Sequence, residues 1–499
     1  MADLEYLSLN KTMRYAYRFK HGFINAGHSI SNFFKSLPYK FKNTFIKIGN
    51  NISEIKDAFV YGDIKTKLSF FIFGFGNLAN GQIVRGLLYF IFEVAFILYM
   101  VFFGGQYLAK FASLGTIEYD SANRNQPYDI SFYILLYSIL SILLICCFVA
   151  TWYMNVKQAY ATQKFVEINK KLAKSADDFK ALGSSKYHIT LLSFPMAGLI
   201  FFTVLPLIFT IFVAFTNFNN DHMFPIHLFT WVGFDNFETV FNGKGMGIDA
   251  SKFARTFWAL LLWTLVWAFL ATFTNFYLGM IVALIINKKG IKLKKFWRTM
   301  LVTTIAVPQF VSLMLMSKML SPYGVINSLL QVVGWQDASN PTQWLNSPWL
   351  ARMSVILVNL WVGIPYTVIS CTGILMNVSD DLYEAAKIDG ANPYKMFINI
   401  TLPYMMFVMT PALISSFVGN INNFNVIFLL TGGNPADINL ASTAGDTDLL
   451  ITWLYKLTVN NQQYNIASVI GILVFVVVAF FSLVFYSRSN SLKNEEEFQ

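Results

Sequence analysis

The stretch SDDLYEAAKIDGANPYKMFINITLP, Ser379 to Pro403, is a polar interruption between two long apolar segments. Ser379 can cap a first helix, whose opening turn then carries two aspartates at its positive end. Gly390 suits the left-handed conformation that ends a helix, and Asn392 followed by Pro393 can cap and start a second one. The spacing therefore predicts two short helices joined by a sharp turn. Two adjacent alanines in the first helix leave a surface that another helix or a groove can approach closely.

The composition around this loop is that of a membrane protein. Of the 499 residues, 55% are hydrophobic and 13% are charged, whereas a soluble domain typically has about a quarter charged residues. The net charge is +10, but the cations cluster beside apolar segments, so they indicate anionic membrane lipid and topology rather than nucleic acid. The three cysteines lie inside apolar segments, which is typical of small core residues rather than of a disulfide or a metal site.

Eight apolar segments are long enough to cross a bilayer. They lie at 86–105, 130–154, 189–215, 261–286, 299–320, 351–376, 403–430 and 465–487. We therefore expect an all-α polytopic membrane protein with about eight transmembrane helices. The segment 68–79 is too short to span and is expected at the membrane surface. The residues FARTFWALL, 253–261, are expected to form a separate interfacial helix on the outer side.

Lysines and arginines set the expected orientation. The first 85 residues hold twelve of them, the loop 155–187 holds seven and the loop 287–298 holds six, whereas 321–349 has none and 431–464 has one. The positive-inside rule places the basic segments and both termini in the cytoplasm. The basic, aromatic N-terminal arm fits either a helix on the membrane surface or a solvated tail.

Motifs for catalysis are missing from the sequence, which has no phosphate-binding loop, nucleophile elbow, zinc-protease motif or CxxC pair. Asp221, His222 and His227 lie close together in an outer segment, but no further ligand stands at the usual spacing, so we expect no metal site. Glu93 is nearly alone as a carboxylate within a span, which disfavours an ion-coupled secondary transporter. That class and a polytopic membrane enzyme are the alternatives to the interpretation below.

The loop at 379–403 resembles the EAA signature of ABC importer permeases. Glu384-Ala385-Ala386, Gly390 and Ile400-Thr401-Leu402-Pro403 match EAA-x3-G-x9-I-x-L-P at every fixed position. In that family the loop docks into a groove on a separate ATPase subunit and transmits its closure to the membrane helices. The resemblance implies that Glu384 is the main polar contact, that Gly390 sets the bend, and that Ala385 and Ala386 belong to the coupling surface. It also implies that ATP and Mg²⁺ bind to partner subunits and that this chain binds no cofactor.

Longer segments resemble the larger membrane subunit of maltose/maltodextrin importers, from about Leu191 onwards. They are LVTTIAVPQF (301–310), NLWVGIPYTVISCTGIL (359–375), NNFNVIFLLTGGNP (422–435) and TAGDTDLLITWLYKLT (443–458). Because related permeases carry galactan-derived oligosaccharides, the sugar stays open between these classes.

The resemblance implies a type I importer permease with a six-helix core. The expected parts are a basic arm (1–85), two accessory helices (86–154), a cytoplasmic linker (155–188), the permease domain (189–487) and a tail (488–499). The implied partners in the bacterial cytoplasmic membrane are a second homologous permease, forming a heterodimer, two cytoplasmic ATPase subunits and an extracellular sugar-binding protein.

Uncharged polar residues form two stripes in the sixth and seventh spans. Asn359, Gly363 and Tyr366 fall at i, i+4 and i+7, as do Ser416, Asn420 and Asn423. Amides and hydroxyls exchange hydrogen bonds with sugar hydroxyls, and an aromatic ring can stack on a sugar face. By resemblance to maltose-type permeases, the expected sugar contacts are Asn359, Val362, Gly363, Tyr366, Ser416, Gly419, Asn420 and Asn423.

Two qualifications apply to these contacts. Gly419 departs from the family pattern, which has an aromatic residue at the matching point, and this weakens stacking. The alternative function of the polar residues is to join helices through interhelical hydrogen bonds. Asn422 and Asn425, which lie off the stripe, fit that structural function, and Gly363 with Pro365 fits a helix kink equally well.

Overall fold

The protein is represented by a computed structural model that describes residues 53–123, 125–168, 177, 180–181, 183–243, 250–288, 290–441 and 444–488. Most of the N-terminal arm, including its expected surface helix, and the tail after 488 lie outside this set. The described residues are helical or irregular, with two isolated β-bridges. Their contacts form two units, one within 53–233 and one within 234–488. The all-α prediction is confirmed, whereas the domain boundaries stay a prediction.

The described ranges 53–123, 125–168 and 183–233 of the first unit contain three short helices followed by three long ones. They are α1 (53–61), α2 (Ile64–Leu68), α3 (Phe75–Ala79), α4 (Ile83–Ala109), α5 (Ser131–Glu167) and α6 (Tyr187–Val213). Each of α4, α5 and α6 is long and apolar enough to cross a membrane. Helix α5 continues thirteen residues beyond the predicted span (154 to 167), which carries its end into the basic linker.

The segment 68–79 does not span; it consists of turns at 69–74 followed by α3, and α4 and α5 bind it. Asn155 donates to the Ser69 carbonyl at 2.7 Å and accepts from the Gly74 N–H at 2.8 Å. The buried carboxylate of Glu93 accepts from the Phe73 N–H at 2.9 Å. Glu93 therefore has a structural contact that explains an acidic residue within a span.

The second unit contains eleven helices among its described residues. They are α7 (Asp235–Asn242), α8 (Ala250–Asn287), α9 (Lys294–Ala306), α10 (Gln309–Met319), α11 (Val325–Val332), α12 (Pro348–Leu375), α13 (Asp380–Ile388), α14 (Pro393–Ile421), α15 (Phe424–Leu430), α16 (Leu450–Tyr455) and α17 (Tyr464–Arg488). Four of them, α8, α12, α14 and α17, pass the same length and hydropathy criterion. The described residues thus hold seven candidate spans, or eight if α9 and α10 form one.

The expectation of a separate interfacial helix at 253–261 is wrong. Helix α8 runs without a break through 38 residues, a length of about 57 Å at 1.5 Å per residue. The hydrocarbon core of a bilayer is about 30 Å thick, so α8 is longer than a helix needs to be to cross it. The sequence from 253 to 270 contains no glycine or proline, so nothing in it breaks the helix.

The fifth predicted span, 299–320, is not a straight helix. Helices α9 and α10 meet at an angle of 88°. Val307 adopts extended angles (φ −77°, ψ 123°) directly before Pro308, since proline disfavours the helical conformation of the residue preceding it. The segment is therefore a broken span or a re-entrant loop.

The seventh predicted span, 403–430, is also broken. Helix α14 ends at Ile421 and α15 starts at Phe424. Asn423 accepts from the Val426 N–H at 3.3 Å and caps α15. The prediction that Asn423 continues the helical face of Ser416 and Asn420 is wrong, because its side chain competes for a backbone N–H and starts a new helix instead.

The core of the second unit surrounds α8. One buried cluster joins Trp263 and Trp267 of α8 to Leu313, Val355 and Val426 from α10, α12 and α15. A second cluster joins the C-terminal half of α8 to α12 and α14. The helices that carry the two predicted polar stripes are thus packed against one common helix.

Candidate functional site

Helix α8 contributes a polar face to the contact with α12 and α14. Thr272, Asn275 and Gly279 stand at i, i+3 and i+7, and so lie on one side of the helix. A β-carbon on Gly279 would come within 2.6 Å of Thr367, which shows how closely α8 and α12 approach there.

Asn420 is held by two neighbouring helices. Its side-chain nitrogen donates to the Thr272 hydroxyl at 3.0 Å, and its backbone carbonyl accepts from the Trp267 indole at 3.1 Å. The Asn423 side chain donates to the Asn420 side-chain oxygen at 3.2 Å. Asn420 and Asn423 therefore lie together even though they belong to different helices. The bond from Asn420 to Thr272 joins two helices, as expected if these polar residues have a structural function. Both amides keep further donors and acceptors that a ligand can use.

The four candidates on α12 occupy three different environments. Asn359 is 6% exposed, and its buried Nδ2 has no hydrogen-bond partner in the described part of the chain. Val362 packs on the cluster around Trp267, and Tyr366 is half exposed. An unpaired buried donor is costly, so Asn359 is the α12 candidate whose chemistry most clearly requires a partner.

Gly363 permits a close contact between helices. A β-carbon at this position would lie 2.5 Å from Asn275 Nδ2 and 2.6 Å from Asn275 Oδ1. The Asn275 oxygen is itself buried without a partner in the described residues. Glycine is therefore required at this position for the packing of α8 against α12, whether or not sugar also passes beside it.

Ser416 and Gly419 lie on an open surface of α14. Both are exposed, and a β-carbon on Gly419 would have no neighbour within 4 Å. The side-chain volume missing at Gly419 is thus not filled by another part of the described chain. Asn422 and Asn425 are exposed as well.

The loop after α15 is fixed by a buried ion pair. The Asp448 carboxylate is fully buried and accepts from Lys456 at 2.6 Å, from the Thr452 hydroxyl at 2.8 Å and from the Gly445 N–H at 2.8 Å. Burial raises the pKa of the Asp448 carboxyl above its usual value, against the opposing effect of the Lys456 ammonium.

A second ion pair attaches the same loop to α12 and α8. Arg352 donates to the Asp446 carbonyl at 2.8 Å and to its carboxylate at 3.2 Å. The guanidinium also lies 4.9 Å from the centre of the Trp263 ring. The loop beyond the polar residues of α14 and α15 is therefore bound to several helices at once.

The loop between α12 and α14 has the predicted local structure. The Ser379 side chain accepts from the Asp381 N–H at 3.2 Å and caps α13, and Asn392 accepts from the Lys395 N–H at 2.8 Å at the start of α14. Gly390 has φ +72°, and the bonds from Gly390 N to Lys387 O and from Ala391 N to Ala386 O complete a Schellman end. The prediction of two helices with a glycine turn is confirmed.

One side of α13 is exposed in the part of the chain that the structure describes. Glu384 and Ala385 are exposed, and Ala386 is partly buried. Leu382 and Ile388 expose 51% and 86% of their surface. The exposed side of α13 thus presents apolar side chains and the Glu384 carboxylate to its surroundings.

Comparison with known proteins agrees with this arrangement. Residues 275–491 match the family described as binding-protein-dependent transport system inner membrane component. The chain is 32% identical over 427 residues to the galactooligosaccharides transport system permease protein GanP of Bacillus subtilis (strain 168), covering 85% of this chain and 96% of that protein. The chain belongs to this family of ABC importer permeases.

Further relatives support the same assignment. The permease is 31% identical over 433 residues to the maltodextrin transport system permease protein MdxF of the same organism, covering 85% of this chain and 95% of that protein. A crystal structure of a bacterial ABC transporter involved in import of the acidic polysaccharide alginate contains a chain with the same fold, at a TM-score of 0.50 and 24% identity, covering 64% of this chain and 99% of that one. The protein is thus a multi-pass permease subunit and not an enzyme.

Sequence reasoning missed the contribution of α8 to the permease. Thr272 and Asn275 were not singled out, although both touch residues that were. Their spacing with Gly279 in an otherwise apolar span was the available signal, because polar and small residues at i, i+3 and i+7 mark a packed helix face. The two ion pairs of the loop after α15 gave no comparable signal, since their partners are up to 94 residues apart.

Proposed function

We propose that this permease carries a neutral oligosaccharide, of the maltodextrin type or the galactan-derived type, through a path beside α8, α12 and α14. The observation that carries the proposal is the uncharged polar chemistry at this place. Residues 256–287, 353–375 and 402–430 contain no Asp, Glu, Lys or Arg, while amides of Asn359, Asn420 and Asn423 lie among them. Such groups bind sugar hydroxyls without the desolvation cost of a charged wall.

Named relatives support both classes of sugar as substrates. Relatives named for galactooligosaccharides and for maltodextrins resemble this chain to a similar degree, at 32% and 31% identity. The open surface at Gly419 supports a path with room for a sugar unit where other permeases of the maltose type have a ring. We propose maltodextrins as the first substrate and galactan-derived oligosaccharides as the second.

We further propose that ATP hydrolysis on two partner subunits drives transport through α13. Its exposed Glu384, Ala385 and Ile388 supply an acidic and apolar surface that suits a groove on an ATPase. The basic loops then face the cytoplasm together with both termini. A second permease completes the path as a heterodimer.

An extracellular sugar-binding protein would deliver the substrate. The outer segment 321–347 supports this partner because Tyr323, Val332 and Trp335 are each more than 80% exposed there. Exposed aromatic residues of this kind are enriched in protein interfaces.

The test is a binding and uptake panel with the reconstituted complex, across maltodextrins, galactan oligosaccharides and disaccharides of graded length. We expect saturable, ATP-dependent uptake of one oligosaccharide series. Replacement of Asn359 or Tyr366 by alanine should raise the KM for sugar, while Leu88→Ala, at an exposed position of α4 outside the proposed path and docking surfaces, should leave the KM unchanged. Uptake of only monosaccharides or ions, or unaltered KM values in both path variants, would contradict the proposal.

A further inference from the structure

A hydrogen bond joins the coupling helix to the helix that carries Asn420. The hydroxyls of Tyr383 on α13 and Thr401 on α14 are 2.9 Å apart. Neither residue occupies a fixed position of the EAA pattern. Thr401 is 3% exposed, so water does not readily replace Tyr383 as its partner.

Tyr383 lies on the side of α13 that faces the protein. Tyr383 and Ala386 are partly buried, while Leu382 before them and Glu384 and Ala385 between them are exposed. The proposed ATPase surface and the contact with α14 are therefore on different sides of the same short helix. The buried side supplies the hydrogen bond to α14.

The covalent connection between α13 and α14 is a turn that contains Gly390 at φ +72°. Glycine has the widest backbone freedom of any residue, so the turn alone does not fix the angle between the two helices. Thr401 closes a wide helical turn formed by Phe397–Thr401, a local irregularity often found at functional places in helices.

We propose that Tyr383 and Thr401 are positioning residues that transmit movement of α13 to the sugar path. The inference rests on the proposed coupling function of the loop. Thr401 and Asn420 are nineteen positions apart in α14, about 28 Å along the helix. A change of helix angle at Thr401 therefore displaces the polar residues near Asn420, provided that α13 and α14 move as one body.

The experiment measures sugar transported per ATP hydrolysed by the complete complex in proteoliposomes. The variants are Tyr383→Phe, Thr401→Val and the double variant. We expect the ratio to fall about threefold to tenfold in each single variant, in keeping with the equilibrium effect of losing one hydrogen bond. The double variant should lower the ratio no further, because both substitutions remove the same interaction.

Two control variants separate this effect from a general effect on the loop. Tyr394→Phe removes a hydroxyl from the other tyrosine of the loop, which is 72% exposed and has no side-chain hydrogen bond among the described residues. Thr401→Ser keeps the hydroxyl that Tyr383 contacts. Both controls should keep the wild-type ratio.

A wild-type ratio in Tyr383→Phe and Thr401→Val would overturn the inference, and so would a loss of assembled complex with an unchanged ratio per complex, which indicates a folding contact. Additive losses in the double variant would also contradict it. If the wild-type complex itself shows no ATP-driven sugar uptake, the proposed function fails, and this inference fails with it.

Discussion

At the scale of single residues, the side chain of Asn275 fits against α12 only because residue 363 is a glycine. The Asn275 amide occupies the volume that a β-carbon at 363 would need. Sequence spacing placed Gly363 on a helix face with Asn359 and Tyr366, but it could not supply this neighbour, which is 88 positions away along the chain. Such long-range contacts are needed to decide whether a residue binds substrate or permits close packing of helices.

We predict that Gly363→Ala destabilises the permease by about 1–3 kcal/mol, because a methyl group is forced into a filled space. The measurement is the thermal unfolding midpoint of the purified complex. Gly373→Ala is the matched control, since Gly373 lies in the same helix and a β-carbon there meets nothing within 4 Å. Its midpoint should stay equal or rise, because alanine favours a helix. Equal unfolding midpoints for both variants and the wild type would show that Asn275 of α8 does not fill the space beside Gly363 of α12.

A second prediction concerns the buried carboxylate of Asp448. Asp448→Ala should destabilise the permease by about 3–5 kcal/mol, because Lys456 loses its buried partner. Unfolding by denaturant in detergent measures this effect. Asp337→Ala, at an exposed aspartate of another outer segment, should change the free energy of unfolding by less than about 1 kcal/mol. An equally small loss of unfolding free energy in Asp448→Ala would mean that water replaces the carboxylate as the partner of Lys456.

At the scale of elements, local signals predicted the coupling loop and failed at the seventh span. Ser379, Gly390 and Asn392 act through bonds within a few residues, so their functions as caps and turn could be read from the sequence. The run of apolar residues around Asn423 instead suggested one continuous helix. The helix break there depends on an asparagine side chain that binds a backbone N–H, and asparagine is the residue type that most readily does so.

The break leads to a prediction that separates the two functions of Asn423. Asn423→Ala should cost about 1 kcal/mol through loss of the cap and should also reduce sugar uptake. Asn423→Ser can still cap α15, so the unfolding midpoint should recover, but it lacks the amide that donates to Asn420, and uptake should stay low. Full recovery of uptake in the serine variant would assign Asn423 a structural function only.

A second element-scale prediction concerns the exposed side of α13. Glu384→Ala should abolish most sugar uptake while the complex still inserts into the membrane and hydrolyses ATP, because the coupling surface loses its acidic contact. Uptake and ATP hydrolysis are measured on the same proteoliposomes. Normal uptake in this variant would count against docking of an ATPase at α13.

At the scale of the whole molecule, the described residues leave functional surfaces open. The α13 face, the aromatic residues of the outer segment and the surface at Gly419 are all exposed in a single chain. Motifs and charge in a sequence predict that such surfaces exist, but the sugar and the partner chains proposed to cover them are separate molecules, so neither the spacing nor the fold specifies them. The distribution of lysine and arginine over alternate loops gives each surface an expected side of the membrane.

The most direct test of the proposed function is accumulation of a labelled oligosaccharide by proteoliposomes that contain the complete complex and the sugar-binding protein. We predict uptake that requires ATP on the ATPase side, stops with vanadate and continues after an uncoupler has removed ion gradients. Uptake that persists without ATP and collapses with the ion gradient would contradict an ATP-driven permease.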